Sequence, residues 1–207
     1  DEKTGAYGGA AMTGSLCVGG WVLRGDAESG LSASQGSLPS TMWGTDVLTL
    51  MRGGTSAADA VAQITSADTG RAERQLAALD PKGQTGHFTG ANSIAVADAR
   101  TARHVVVTGN LLASQTVLDA CLHGFLTAKG LLDSRLLAAL DAANSAGGDS
   151  RGVLSSALLM VSQTQPPMSL RIDYSETPLA DLRALHRRAT TGHYGDWATH
   201  VPTTDDP

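Results

Sequence analysis

Residues 116–162 read TVLDACLHGFLTAKGLLDSRLLAALDAANSAGGDSRGVLSSALLMVS, and this stretch decides the fold. Val117, Cys121 and Phe125 recur at four-residue spacing, and Leu118, Leu122 and Leu126 widen the same apolar face. That is the period of an amphipathic helix, with Gly130 as its stop. Asp133 is expected to cap a second helix that buries Leu136, Leu137 and Leu140 and ends at Gly147-Gly148. A strand over Leu154–Ser162 follows, so a helix pair feeds directly into a sheet.

Working outward, strands are expected at Ala6–Thr13, Cys17–Arg24 and Leu31–Gln35, with hairpin-turn chemistry in Asp1–Gly5. Short helices are expected over Thr45–Arg52 and after Ser56, where Ser56-x-x-Asp59 forms a loose capping box. Further strands fit Glu73–Leu79, Thr85–Thr89, Ser93–Val96 and His104–Thr108, with Asp80-Pro81-Lys82-Gly83 as a turn. Beyond the quoted stretch, Ser169–Asp173 reads as a strand. Thr177 and Pro178 open a helix that turns Leu179, Leu182 and Leu185 inward and ends at Arg187-Arg188. Residues 190–207 lose periodicity and read as a tail or arm, leaving one domain over 1–189. The order is strands, helix pair, strands, helix pair, strands, helix. It lacks the strict alternation of a doubly wound parallel fold and suits two face-to-face sheets with helices outside, an α+β, four-layer αββα sandwich.

Composition agrees with one ordered domain. The chain has 207 residues, 42% hydrophobic and 17% charged, enough for a core and too apolar for wholesale disorder. It carries 24 glycines and only 4% aromatic residues, so Ala, Leu and Val must build that core around tight turns. Fifteen basic residues against twenty acidic ones give a net charge of −5, which argues against a nucleic-acid partner. No apolar run is long enough to span a bilayer and no signal-peptide pattern opens the chain, so no membrane partner is expected. Two cysteines, Cys17 and Cys121, are too few for a disulfide scaffold and point to a cytoplasmic setting. The chain opens at Asp1 without an initiator Met, which suggests a front end trimmed, processed or unseen.

Several patterns bear on chemistry. Gly148-Asp149-Ser150-Arg151-Gly152 matches the G-x-S-x-G of a nucleophile elbow, but a helix precedes it and a strand follows, the reverse of what that motif needs. It reads instead as a helix stop and tight turn, or as a loop lining a site, with Asp149 and Arg151 able to pair. His186, His193 and His200 recur every seven residues, yet Gly192, Gly195 and Pro202 break a continuous helix. No His or Glu spacing supports a metal, and no Gly-rich loop supports a nucleotide, so neither metal nor cofactor is expected. Cys121 lies on an apolar helix face and Cys17 among small residues; both read as core. Polar groups at strand ends stand out more: Thr13, Gln35, Arg74-Gln75 and Asn110. Asn110 is either a helix-entry residue or a hydrogen-bond donor at a site.

These landmarks resemble a known family. Asp1-Glu-Lys-Thr-Gly5 is similar to the Asp-Pro-x-Thr-Gly turn of the bacterial domain of unknown function 1028, which is grouped with the N-terminal-nucleophile hydrolases. Ala33-Ser34-Gln35, Gly70-Arg-x-x-Arg74-Gln75, Phe88-Thr89-Gly90 and Thr108-Gly-Asn110-Leu-Leu-Ala113 follow in order. Gly147-Gly-Asp149-Ser-Arg-Gly152 and Leu170-Arg-Ile-Asp173 complete the match, which runs to the helix around Leu185. The resemblance implies the αββα sandwich and hydrolysis of an amide bond by a Thr, Ser or Cys at a freed chain terminus, its own α-amine serving as base. It also implies a further strand ahead of Asp1 that carries the nucleophile. Where the family usually has Ser-Lys, this chain has Thr13-Gly14.

The expectation is therefore an N-terminal-nucleophile amidohydrolase acting on a small amide or peptide-like ligand. Its site would lie between the sheets near Thr13, Gln35, Arg74, Asn110 and Asp149, with Asn110 as oxyanion donor. A non-catalytic relative binding a small molecule or partner protein in the same pocket is the alternative. A homodimer is expected from the small-residue sheets and Trp197 in the tail.

Overall fold

The computed structural model describes residues 1–207. It is a mixed α/β fold of nine strands and seven α-helices, with every strand pairing antiparallel. In chain order these are β1 (Tyr7–Thr13), α1 (Val18–Trp21), β2 (Leu23–Asp26), β3 (Gly30–Gly36), α2 (Trp43–Arg52) and α3 (Ala57–Ser66). Next come β4 (Arg74–Leu79), β5 (Thr85–Thr89), β6 (Asp98–Ala102), β7 (Val105–Gly109), α4 (Thr116–Thr127) and α5 (Leu132–Ser145). The chain closes with β8 (Ser155–Val161), β9 (Met168–Ile172), α6 (Pro178–Thr190) and α7 (Gly192–Ala198). The sheets run β1-β8-β9, β2-β3-β4-β5 and β6-β7.

Alternation places the core. On β4, Leu76 and Ala78 face α2 and α3, packing with Trp43, Val47 and Val61, while Gln75 and Ala77 point to the other face. Between the two larger sheets, Val18, Val22, Leu23 and Leu31 meet Ala157 of β8. Behind β8 and β9, Leu158 and Leu170 pack on Leu137 and Leu140 of α5 and Leu182 of α6. The glycines of β1 follow from this crowding. A Cβ on Gly8 would stand 2.5 Å from a Leu136 methyl of α5, and one on Gly9 would stand 2.7 Å from a Leu31 methyl of β3. Successive residues face opposite sides of a strand, so at Gly8-Gly9 β1 is squeezed from both faces and no side chain fits.

Several expected elements hold. Ser56 caps α3, accepting from the Asp59 N–H, and Asp80 adds a second acceptor for Ala57 N–H at 3.0 Å. The Asp80–Gly83 turn forms, with Gly83 at φ +77°. Others need correction. Cys17–Arg24 is not one strand: Cys17 turns the chain at φ +59°, and Val18–Trp21 makes a helical turn, its first N–H held by the Ser155 hydroxyl. Ser93–Val96 is irregular, and the partner of β7 is instead Asp98–Ala102. That strand is polar and lacks apolar alternation, because Arg100, clamped by Asp98 and Asp119, does the holding. Asp133 lies inside the first turn of α5, not at its cap, which is Leu131. Its carboxylate bonds His186 at 2.7 Å and ties α5 to α6. The expected aperiodic tail contains α7, where the Tyr194 and Trp197 rings meet at a tilt of 52° with centroids 5.4 Å apart. No helix is long and apolar enough to cross a membrane.

Candidate functional site

A cavity of about 970 Å³ runs through the middle of the molecule, and Thr13, Gln35, Arg74, Asn110 and Asp149 all line it. Its walls are β1, β3 and β7, and its floor is apolar, with Phe125, Leu136 and Leu140 among the lining residues. The mouth is apolar too: Leu16, Trp21, Leu38 and Ile94 are all exposed there. Polar chemistry is gathered in two clusters at strand ends.

The first cluster is built on Asp149. Residues 147–152 form the turn between α5 and β8, with Gly147, Gly148 and Gly152 at positive φ. Asp149 is buried, and its Oδ2 accepts from the Gly14 N–H at 2.8 Å and from Thr13 Oγ1 at 3.3 Å. Arg151 closes on the same carboxylate, with Nε 3.0 Å from Oδ1 and NH2 2.8 Å from Oδ2. Burial alone would raise the Asp149 pKa. The Arg151 hydrogen bonds and the Gly14 and Arg151 N–H groups outweigh it and hold the carboxyl below the usual range. The expected Asp149–Arg151 pairing is thus present, and the loop is an anchor for the end of β1. It also explains Gly14, whose Cβ would lie 2.6 Å from the Gly152 carbonyl oxygen.

The second cluster is a row of amides. Gln35, Gln75 and Thr89 are register neighbours across β3, β4 and β5. Gln75 is fully buried; its Nε2 donates to Thr89 Oγ1 at 2.9 Å and to the carbonyls of Asp98 and Gly109. Its Oε1 accepts from Gln35 Nε2 at 2.5 Å and Asn110 Nδ2 at 3.4 Å. Gln75 therefore ties the four-stranded sheet to the β6-β7 hairpin and orients both Gln35 and Asn110 at the cavity wall. Arg74 sits at the far rim, its guanidinium bonded to Asp68 and to the Leu38 carbonyl and lying 5.7 Å from the Trp43 ring centroid. Asp68 is held below the usual carboxylate range: burial raises it, but the Gly70 N–H and Arg74 prevail.

Thr13, Gln35, Arg74 and Asn110 lie at or beside strand ends on the cavity wall, and two further residues, Gln75 and Ser155, shape it. Gln75 stands out in the sequence with Arg74 as a polar strand end, and its burial follows from alternation on β4. Ser155, fully buried, donates to the Ser15 carbonyl at 2.7 Å and shapes the 13–18 turn. Nothing local marks it. Of the two cysteines, Cys121 lines the cavity, and burial pushes its thiol up to about 11.

Two strand edges along this cavity have no partner. β1 pairs only with β8, and β7 only with β6. Both strands start at one end, where Glu2 meets Arg103 and His104, and both finish at the other, where Asp149 meets Thr13 and bridges Leu112. They are therefore parallel, with the cavity between them. The Asp1–Ala6 segment reverses the chain as a hairpin turn: Gly5 N–H donates to the Asp1 carbonyl at 2.9 Å and Asp1 N to the Ala6 carbonyl at 2.8 Å, with Gly5 at φ +67°.

The chain belongs to the family of unknown function DUF1028, whose model matches residues 1–182. Among solved structures, it is similar to the crystal structure of protein SPO2555 from Silicibacter pomeroyi, described under the same family. The two are 48% identical and superpose with a TM-score of 0.95 over 100% of this chain and 93% of that one. No curated protein matches.

Proposed function

We propose that the cavity is the active site of an N-terminal-nucleophile amidohydrolase on a four-layer αββα sandwich, acting on a small amide or peptide-like substrate. The observation that carries this reading is the pair of parallel unpartnered edges of β1 and β7 with a hairpin turn leading into β1. A strand running into Asp1 would be antiparallel to both and would complete one continuous sheet. The register started by Asp1 and Ala6 moves back one residue for each step along β1. The residue opposite Thr13 is then about seven positions ahead of Asp1, beside Asn110 and Asp149.

A Thr, Ser or Cys at that position, freed as the chain terminus, has the chemistry it needs. Its α-amine, with a pKa of about 8, takes the hydroxyl or thiol proton as the oxygen or sulfur attacks the amide carbonyl. The tetrahedral oxyanion accepts from the second Asn110 Nδ2 hydrogen, the first being committed to Gln75. The C–N bond breaks as the α-ammonium returns its proton to the leaving amine. Water, deprotonated by the same amine, then attacks the acyl carbonyl; the ester or thioester bond breaks, the nucleophile takes the proton back from the ammonium, and the acyl group leaves as an acid that ionises in solvent. Thr13 is a positioning residue in this scheme. Its hydroxyl faces Asp149, which four further hydrogen-bond donors make a poor base.

The alternative, a non-catalytic binder, is favoured by two observations: Gly14 stands where a lysine could tune a nucleophile, and the Asp149–Arg151 pair neutralises itself. Hydrolysis of N-acyl amides by wild type and Asn110→Ala, at equal folded fraction, separates the two. Turnover lost about a hundredfold or more in the variant supports catalysis; tight binding without turnover in wild type supports the binder.

A further inference from the structure

We propose a second ligand site, outside the inter-sheet cavity, that binds a small organic anion with a carboxylate head and an apolar body. A separate cavity of about 370 Å³ lies where α1, β2 and α2 meet β8 and β9, and none of the five candidate residues lines it. Its floor is apolar, with Leu23, Leu48 and Leu159, and its rim carries Arg24, Arg171 and Ser169. That volume is at the lower end of small-molecule pockets, about 300–1,000 Å³.

The two guanidiniums make the rim selective. Arg24 has no carboxylate in ion-pair range; its only bond is from NH1 to the Trp21 carbonyl at 2.8 Å, at the end of α1. Arg171 gives Nε and NH2 to Asp173 Oδ1, at 3.1 and 2.9 Å, and keeps NH1 uncommitted. Arg171 is also held in place. A Cβ on Gly19 would lie 2.6 Å from its Cγ, and one on Gly20 would lie 2.8 Å from its NH2, so the glycine pair of α1 is the bed on which this side chain rests. Ser169, two residues earlier on β9, presents its hydroxyl from the same strand face. This gives a structural role to the Leu170-Arg-Ile-Asp173 motif that the amidohydrolase reading leaves unused.

Guanidinium forks match carboxylate geometry and stay charged at any working pH. In a chain of net charge −5, an arginine without an acidic partner at the edge of a cavity is a local inversion of sign. A neutral ligand would leave those donors unanswered, and an ion without an apolar body would leave the leucine floor wet. A medium-chain carboxylate satisfies both.

The test is calorimetric titration of the intact protein with octanoate, octanamide and inorganic phosphate. Octanoate is expected to bind at least about tenfold more tightly than either control, and Arg24→Gln and Arg171→Gln are expected to weaken it about tenfold or more. Because Arg24 also caps α1, Ser169→Glu provides a second variant: it keeps both arginines, places a carboxylate at the rim and should abolish octanoate binding. Absence of octanoate binding to wild type overturns the proposal. So does equal binding of octanamide, tighter binding of phosphate, or unchanged octanoate affinity in Ser169→Glu.

Discussion

Gln35 and Gln75 face each other across β3 and β4, and the Gln35 amide donates to the Gln75 carbonyl oxygen at 2.5 Å. That bond is one link in a chain reaching Thr89 on one side and Asn110 on the other. Gln75 thereby joins the four-stranded sheet to the β6-β7 hairpin.

Replacing Gln75 with Leu should therefore cost about 3 kcal/mol or more. It strands the amides of Gln35 and Asn110 and the carbonyls of Asp98 and Gly109 in a buried site. Urea unfolding measures the loss. Hydrogen exchange should show it first at Val105–Gly109, the strand that Gln75 anchors; uniform loosening would speak against that anchoring role.

Asp149→Asn should destabilise the protein by about 2 kcal/mol at pH 7, because a buried carboxylate with charge-assisted partners becomes an amide with wrongly placed donors. The pH dependence has a definite sign. A carboxyl whose folded pKa is depressed stabilises the fold above its unfolded pKa of about 3.9 and loses that contribution as pH falls through the folded value. The gap between wild type and variant should hence narrow below about pH 4. A gap constant from pH 7 to pH 2 would remove the ionised carboxylate from the account.

Gly14→Lys tests whether the family's lysine can simply be restored. With a Cβ position 2.6 Å from the Gly152 oxygen, the substitution must push the 149–152 turn aside, at about 1–3 kcal/mol. Thermal denaturation should show a lower midpoint. An unchanged midpoint would mean that the turn yields freely.

Cys121 should be inert. Burial pushes its pKa from 9.0 to about 11, so alkylation by iodoacetamide at pH 8 should run about a hundredfold slower than for an unperturbed thiol. Mass mapping of the alkylated peptide gives the rate; labelling as fast as in the urea-unfolded chain would contradict the buried placement.

Much of this architecture was legible in the sequence. The 116–162 helix pair and strand, the Ser56 cap and the Asp80–Gly83 turn rest on local chemistry, and local chemistry is what a sequence displays. α1 escaped because Cys17–Arg24 carries strand-like apolar residues. Its helical turn depends on Ser155 and Arg171, each more than a hundred residues away. β6 escaped because ion pairs, not alternation, hold it. At the site, Thr13, Gln35 and Asn110 stood out as polar strand ends, but what each one touches did not. Thr13 meets Asp149 only after the sheet β1-β8 is assembled. The guanidinium of Arg74 is taken by Asp68, a bond between side chains six residues apart that no periodicity announces.

Delivery of a terminal nucleophile between β1 and β7 is checked by intact mass and N-terminal sequencing of the mature protein from its native host. The mature chain should begin with Thr, Ser or Cys about seven residues ahead of Asp1, opposite Thr13 in the hairpin register. A mature chain that begins with a retained Met, or with any residue lacking a hydroxyl or thiol, would contradict it.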